Sequence, residues 1–204
     1  MTAGQPKSKR FDSFETKVLN TIKRRNLIKK GDRILIAFSG GPDSTALSVV
    51  LRALSHELDL SLVMAHINHG LHDLADVHQE HSRMIAEKLG VEFVSETIDV
   101  RSRALNHDLS IEHAARLSRY EALDLLANMK SCDIIATGHT ATDRVETVLL
   151  NLVRGTGPYG LVGVPPRRDR IIRPLIDVDR VDIESYLKRC NICLLYTSPS
   201  PRDS

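Results

Sequence analysis

The sequence predicts an α/β fold with a doubly wound, mostly parallel sheet. Short continuous apolar runs alternate along the 204 residues with longer segments whose apolar side chains recur near helical spacing. A run that is apolar at successive positions is typical of a strand covered by helices on both faces. A glycine-containing loop joins the first run directly to a helix. Strands that alternate with helices in this way form parallel sheets with right-handed crossovers.

The elements follow from this pattern in chain order. Residues 11–30 are predicted to form a helix, because Phe14, Val18, Leu19 and Ile22 fall near helical spacing. Strands are predicted at residues 34–38, 60–66, 91–98, 133–137 and 171–173. The helices that follow them are predicted at residues 45–58, 75–89, 110–129, 142–154 and 179–190. Gly90 stands where a helix is expected to end, and Ser110 stands where one is expected to be capped.

Composition and charge narrow the class of protein. The apolar share of 42% and the charged share of 26% are those of a globular protein, and the net charge of +2 indicates little about nucleic acid. The chain contains neither a long apolar stretch nor the apolar core of a signal peptide, and three cysteines make no disulfide framework. We therefore expect a cytoplasmic protein that does not enter membranes.

The first thirty residues are rich in lysine and arginine. Two interpretations remain open for this basic run: a solvated helix face, or a surface that contacts phosphate. The basic residues are Lys7, Lys9, Arg10, Lys17, Lys23, Arg24, Arg25, Lys29 and Lys30.

A glycine loop after the first strand is the strongest candidate site. In a parallel sheet, ligands bind beyond the carboxyl ends of the strands. Glycines allow the backbone N–H groups to approach a phosphate, and the following helix adds its positive N-terminal end. Hydroxyls supply further donors, and a carboxylate could hold a metal ion. The loop consists of Ser39, Gly40, Gly41, Pro42, Asp43 and Ser44.

Two common phosphate-binding motifs are absent from this loop. It lacks the G-x-x-x-x-G-K-[ST] pattern and contains no lysine that could reach terminal phosphates. It also lacks G-x-G-x-x-G, which excludes an ordinary dinucleotide site. The loop could be a simple turn, but the strand before it and the helix after it favour phosphate binding.

The Ser-Gly-Gly-Pro-Asp-Ser loop resembles the pyrophosphate loop of the N-type ATP pyrophosphatases, which cleave ATP between its α- and β-phosphates. Within them, the sequence resembles the tRNA(Ile)-lysidine synthetase family from about Arg33 to Ile192. The resemblance implies an adenine nucleotide alpha hydrolase type of Rossmann-like fold, with residues 11–192 as the catalytic domain after a disordered segment at residues 1–10. Further matching segments occur in the same order at residues 66–71, 110–120, 136–161 and 173–186.

The resemblance implies a nucleotide pocket lined by the last residue of the second strand and by residues that follow the second and fourth strands. They are His66, Asn68, Gly138 and His139. A metal site formed by His66, His69 and His72 is the alternative. We favour the nucleotide pocket, because a spacing of three residues needs a helix to bring the rings together.

Charged residues on two later helices complete the expected site. Arg116 is expected to contact phosphate or the adenylated base, although with Glu112 it could be a surface i,i+4 pair. Asp143 and Glu146 are expected over the pocket, as ligands of Mg²⁺ or of the lysine ammonium groups; the alternative is helix-end charge. Asp43 and Asp143 are the expected metal ligands.

The sequence departs from the family pattern in this segment. Thr140 and Thr142 stand where the family usually has a second histidine and a paired aspartate. This departure puts metal affinity in doubt, but not the fold.

The tail is the other departure. Residues 193–204 resemble the translation of a sequencing-library adapter, and we expect them to be non-native.

The resemblance implies that ATP and L-lysine react with the wobble cytidine of the isoleucine tRNA that carries a CAU anticodon. The products would be lysidine-modified tRNA, AMP and pyrophosphate, with Mg²⁺ assisting. One alternative is tRNA thiolation, for which the sequence offers only Cys132, Cys190 and Cys193. Another is a fragment that binds ATP without turnover.

Overall fold

A computed structural model describes residues 11–69, 75–153, 155 and 163–192 of the chain. The predicted disorder of residues 1–10 and the predicted non-native tail at 193–204 lie outside these ranges. Parts of the family-like segments at 70–71 and 154–161 also lie outside them.

The described residues form a six-stranded sheet that is parallel except at one edge. Its order is β3-β2-β1-β4-β6-β5, and only β5 runs antiparallel, to β6. The central strand β1 pairs with β2 through Leu35 and Val63, and with β4 through Leu35 and Ile135. The strands are β1 Arg33–Ala37, β2 Ser61–Asn68, β3 Glu92–Thr97, β4 Ile134–Ala136, β5 Arg167–Arg168 and β6 Ile171–Ile172.

Helices cover both faces of this sheet and confirm the doubly wound class. On one face α1, α2, α3 and α7 enclose a large core that includes Ile34 and Ile36 of β1. On the other face α5 packs on Leu35, and α4 packs on α5. The helices are α1 Ser13–Arg24, α2 Pro42–Leu58, α3 Ala75–Leu89, α4 Val100–Asn106, α5 Ile111–Met129, α6 Ala141–Val153 and α7 Arg180–Arg189.

Several predicted boundaries were wrong. Helix α1 ends at Arg24 instead of continuing to residue 30, because Asn26 takes a left-handed conformation (φ 48°). Helix α2 begins at Pro42, whose fixed φ suits the first helical position, so half of the predicted loop is helical. Strand β2 continues to Asn68 and not only to residue 66. Helix α4 and strand β5 were not predicted.

The basic run at the N-terminus has structural partners. Arg24 and Arg25 both contact the carboxylate of Asp177, at 2.7 and 2.9 Å, and Lys17 contacts Asp182 at 2.7 Å. These contacts tie α1 to the segment before α7 and to α7 itself. Three of the basic side chains therefore hold the fold together, which favours a structural interpretation for this part of the run.

The order of the strands determines where a ligand can bind. The chain proceeds outward from β1 to β2 and β3 on one side, then returns to place β4 on the other side of β1. The connections from the carboxyl ends of β1 and β4 therefore diverge to opposite sides of the sheet. Such a switch point leaves a crevice between the two loops.

Candidate functional site

A cavity of about 300 Å³ lies at this crevice. Ligand pockets for small molecules begin at roughly this size. The predicted residues that line it are Ser39, Asp43, Ser44, His66, Asn68, Gly138, His139 and Asp143. The structure thus brings together residues from three separate segments of the chain, 39–44, 66–68 and 138–143.

The glycine loop meets the cavity with the N-terminus of α2. Gly40 has φ +84°, a conformation that favours glycine, and a Cβ built on it would meet nothing within 4 Å. Gly41 is the N-cap of α2, so the cap residue has no side chain that could accept a hydrogen bond, and Pro42 is the first residue of the helix. The first N–H groups of a helix have no acceptor within it. Open space beside these donors suits an anion such as a phosphate.

Two serines fix the shape of this loop. The Ser44 hydroxyl donates to the carbonyl of Gly41 at 3.0 Å and accepts from the Ser39 N–H at 3.2 Å. The Ser39 hydroxyl lies 3.1 Å from Ser44 Oγ. Because the Ser44 proton goes to Gly41, Ser39 is the donor in that contact. The loop is held in place by its own hydrogen bonds before any ligand binds.

Gly138 allows the loop after β4 to touch the glycine loop. A Cβ at this position would lie 3.0 Å from the backbone nitrogen of Ser44 and 3.1 Å from the carbonyl carbon of Asp43. Backbone atoms cannot give way as a flexible side chain can. Gly138 is therefore required sterically for the two loops to form one wall of the cavity.

His66 is buried beside the cavity and is held as a neutral ring. Its Nδ1 lies 3.1 Å from the carbonyl oxygen of Phe38 and 3.3 Å from the Ser82 hydroxyl, which itself donates to the carbonyl of His78. Both contacts require a proton on Nδ1, so Nε2 is the acceptor of the neutral ring. Burial lowers the pKa of His66, and the charge of His78 lowers it further.

The histidine loop does not form a metal centre in the described residues. His69 lines the cavity with Asn68, and its buried Nδ1 makes no hydrogen bond. Burial and the nearby charge of Arg119 lower the pKa of His69. Within the ranges that the structure describes, no group of three or more His, Cys, Asp or Glu side chains could hold a metal ion. His72 lies outside those ranges.

Asp143 lines the cavity and also caps its own helix. Its Oδ2 accepts hydrogen bonds from the Thr140 N–H at 2.8 Å and from the Thr140 hydroxyl at 2.9 Å. Thr140 thus orients this carboxylate. Glu146 is exposed and is not part of the cavity lining, so the structure does not bring both carboxylates to the lining as the sequence predicted.

Helix α5 contributes residues that the sequence prediction did not include in the site. Arg119 and Tyr120 line the cavity, whereas the predicted Arg116, about one turn earlier in the helix, is exposed. The Arg119 guanidinium carbon lies 5.6 Å from the centroid of the Tyr120 ring. The signal that could have found them is helical spacing, because residues three and four positions after Arg116 share its face.

The described cysteines do not line the cavity. Cys132 is buried just before β4, at the amino end of the sheet, whereas the cavity lies at the carboxyl ends. Burial raises the pKa of Cys132 and of Cys190, which disfavours the reactive thiolate.

Sequence comparison matches residues 11–196 to the family model described as the PP-loop domain. Among similar proteins, tRNA(Ile)-lysidine synthase of Clostridium tetani is 42% identical over 171 residues, which cover 83% of this chain and 37% of the relative. The Clostridioides difficile enzyme of the same name is 39% identical, over 86% of this chain and 38% of the relative. The chain therefore spans less than half the length of these relatives.

Solved structures with a similar fold have more distant sequences. The U34-tRNA thiolase NcsA from Methanococcus maripaludis, with its [4Fe-4S] cluster, has a TM-score of 0.76 and 19% identity, over 92% of this chain and 65% of that one. NMN synthetase from Francisella tularensis has a TM-score of 0.61 and 16% identity, over 94% and 76%. In the described part of the chain, no helix is long and apolar enough to cross a membrane.

Proposed function

Since this chain belongs to the PP-loop family of ATP-binding domains, we propose that it supplies the ATP-dependent part of a tRNA(Ile)-lysidine synthetase. In this reaction, O2 of the wobble cytidine attacks the α-phosphate of ATP and pyrophosphate leaves. The amine of L-lysine then attacks C2 of the activated base and AMP leaves. The identity of 36–42% to proteins named tRNA(Ile)-lysidine synthase supports this choice of substrates.

The observation that carries the proposal is the junction between two loops. The glycine loop meets Gly138 so closely that no Cβ fits between them, and both line the cavity with Asp43 and Asp143. The loop and the N-terminus of α2 would hold the departing pyrophosphate. Fixed donors of this kind stabilise developing negative charge without reorganising.

Other residues of the cavity have roles that follow from their chemistry. His66, as a neutral ring with Nε2 as its acceptor, would accept a hydrogen bond from the adenosine part of ATP, beside Asn68 and His139. A carboxylate, that of Asp143 or of Glu146, would accept the proton that the lysine amine must lose before it attacks. Arg116 and Glu146 would act at the rim, on tRNA and on the lysine ammonium group.

The donor set fits Mg²⁺. Asp43 and Asp143 both line the cavity and offer two carboxylates. Mg²⁺ is commonly bound by one or two carboxylates together with substrate phosphates and water. When bound, it would neutralise charge on the pyrophosphate as that group leaves.

Thiolation of tRNA is the alternative on the same fold, given the likeness to the thiolase. The described cysteines argue against it, because neither Cys132 nor Cys190 lines the cavity. The ligase is therefore favoured over a sulfur transferase.

Radiolabelled ATP distinguishes the candidate functions. We expect AMP release to require both L-lysine and a tRNA with a CAU anticodon, and to fall at least about a hundredfold in Asp43→Ala, the range seen when one stabilising group is removed. AMP release that needs a sulfur donor instead of lysine would favour thiolation. ATP binding without any AMP release would show that the chain binds ATP but does not catalyse the reaction.

A further inference from the structure

Thr137 directly follows β4 and connects the edge of the sheet to the wall of the cavity. Its backbone N–H donates to the carbonyl oxygen of Ile172, the last residue of β6, at 3.0 Å. Thr137 lines the cavity together with Gly138 and His139, and it is only 6% exposed. A polar side chain in so buried a place needs hydrogen-bond partners, so the partners of its hydroxyl are informative.

The Thr137 hydroxyl has two neighbours, and their chemistry determines where the protons lie. Its Oγ1 is 2.9 Å from Nδ1 of His139 and 3.3 Å from the carbonyl oxygen of Ile172. A carbonyl oxygen can only accept, although its two lone pairs can accept twice, and a hydroxyl has one proton to donate. If Thr137 donates to Ile172 and accepts from a proton on Nδ1, both contacts are hydrogen bonds. If it donates to His139, only one is, so the first arrangement is favoured and Nδ1 carries the proton.

The same arrangement holds His66 of β2, on the other side of β1. There the Ser82 hydroxyl donates to the carbonyl oxygen of His78 at 2.7 Å and lies 3.3 Å from Nδ1 of His66. In both cases a hydroxyl accepts the Nδ1 proton and donates its own proton to a backbone carbonyl. A neutral ring with its proton on Nδ1 has Nε2 as its acceptor. The two histidines therefore offer the same kind of atom from two sides of the site.

We propose that Thr137 is a positioning residue, whose hydroxyl fixes the tautomer of His139 so that Nε2 meets the nucleotide as a hydrogen-bond acceptor. The oxygens of an ionised phosphate are acceptors themselves. The amino group of adenine and the hydroxyls of ribose are donors, and they can bind such a nitrogen. The neutral ring of His139 is therefore assigned to the nucleoside part of ATP, and the phosphates are left to the glycine loop. This role rests on the proposed function only in taking ATP as the ligand.

The ring nitrogens of His139 test the tautomer directly. In ¹⁵N NMR spectra of the intact chain, protonated and unprotonated ring nitrogens have different chemical shifts, and His139→Asn identifies the signals of this ring. At a pH where the ring is neutral, we expect Nδ1 to be protonated and Nε2 to be unprotonated. Thr137→Val keeps the shape of the side chain but removes the hydroxyl, so the tautomer with its proton on Nε2 should appear. Thr137→Ser keeps a hydroxyl and should restore the original signals.

Ligand binding tests the consequence for the nucleotide without requiring turnover. The probes are α,β-methylene-ATP, which carries a nucleoside, and pyrophosphate, which does not. We expect Thr137→Val to bind the ATP analogue about fivefold more weakly, as for one lost hydrogen bond, and to bind pyrophosphate as the unaltered chain does. Thr137→Ser should regain most of the affinity. Thr21→Val is the matched control, because Thr21 is also buried and its hydroxyl contacts Asp177 at 3.4 Å, outside the cavity lining.

Several results would overturn the role of Thr137. They are a neutral ring protonated at Nε2 in the unaltered chain, unchanged ring signals in Thr137→Val, and a loss of affinity that is as large for pyrophosphate or in Thr21→Val. If thermal unfolding shows that Thr137→Val does not fold, the ring signals of the unaltered chain decide alone. If the unaltered chain binds neither probe, the proposed function is in error, but the ring signals still decide whether Thr137 sets the tautomer.

Discussion

At the scale of single residues, Gly138 makes the most specific prediction about the site. Gly138→Ala places a Cβ about 3.0 Å from the Ser44 backbone nitrogen. The two loops must separate, which we expect to cost about 1–3 kcal/mol of unfolding free energy. Because the two loops form the proposed ATP site, the affinity for ATP should fall more than the stability loss explains. Urea unfolding and ATP titration measure the two effects, and unchanged ATP affinity would contradict the steric argument.

His66 predicts a dependence of stability on pH. Burial lowers its pKa in the folded chain below the ordinary value of about 6.5 that it has when unfolded. As the pH falls below about 6.5, the unfolded chain takes up the proton before the folded chain does. The contribution of His66 to the free energy of unfolding is therefore fully present above about pH 6.5 and is lost as the pH is lowered toward the folded pKa.

Replacing the ring tests this dependence. His66→Asn should flatten the curve of stability against pH in this window, although His69, whose pKa is also lowered, retains a share of the slope. Exposed His56 provides the control, as His56→Asn should leave the curve in place. Chemical denaturation at a series of pH values measures both, and equal curves for the two variants would refute the role of burial.

At the scale of elements, the attachment of α1 depends on Asp177. One carboxylate, with its side chain 21% exposed, holds both Arg24 and Arg25. The hydrogen bond from Arg25 lowers the pKa of Asp177, so this stabilisation is present above the ordinary carboxyl pKa and is lost as the pH falls.

We expect Asp177→Asn to cost about 1–3 kcal/mol of unfolding free energy at neutral pH. Asp182→Asn is the matched control: it removes the exposed contact to Lys17, and such pairs contribute under about 1 kcal/mol. Urea unfolding with circular dichroism measures the difference. A loss no larger in Asp177→Asn than in the control would show that α1 is held by Phe14 and its stacked partner Tyr186 instead.

At the scale of the whole molecule, we expect ATP binding to stabilise the folded chain. A ligand that binds only the folded chain stabilises it by about 2.7 kcal/mol at a hundred times its Kd. We therefore expect ATP to raise the unfolding temperature, and Asp43→Ala to abolish that rise. Asp182→Ala, which alters a carboxylate in the first turn of a different helix, should retain it. An equal rise in Asp43→Ala would place ATP elsewhere.

The sequence by itself determined the fold class and the position of the glycine loop. Short runs that are apolar at every position, such as residues 34–38, are typical of strands covered by helices on both faces, so the run itself was sufficient to predict a buried strand. Helix α5 began where its N-cap signal predicted, with the Ser110 hydroxyl accepting from the His113 N–H at 3.2 Å. A helix cap involves residues only a few positions apart in the chain, so it can be predicted from the local sequence.

Tertiary structure alone decided which side chains reach the cavity. The strand order brings residues from β1, β2, β4 and α5 together, and no local pattern encodes that meeting. Helix α4 was not predicted, because it has only seven residues and buries only Val100 and Ala104, which is too few to give a helical pattern of apolar side chains. Glu146 and Asp143 are three residues apart on one helix, yet only Asp143 lines the cavity. The burial of Arg173, which is 5% exposed, could not be predicted from the sequence either. A charged residue becomes buried only when segments that are distant in the chain pack over it.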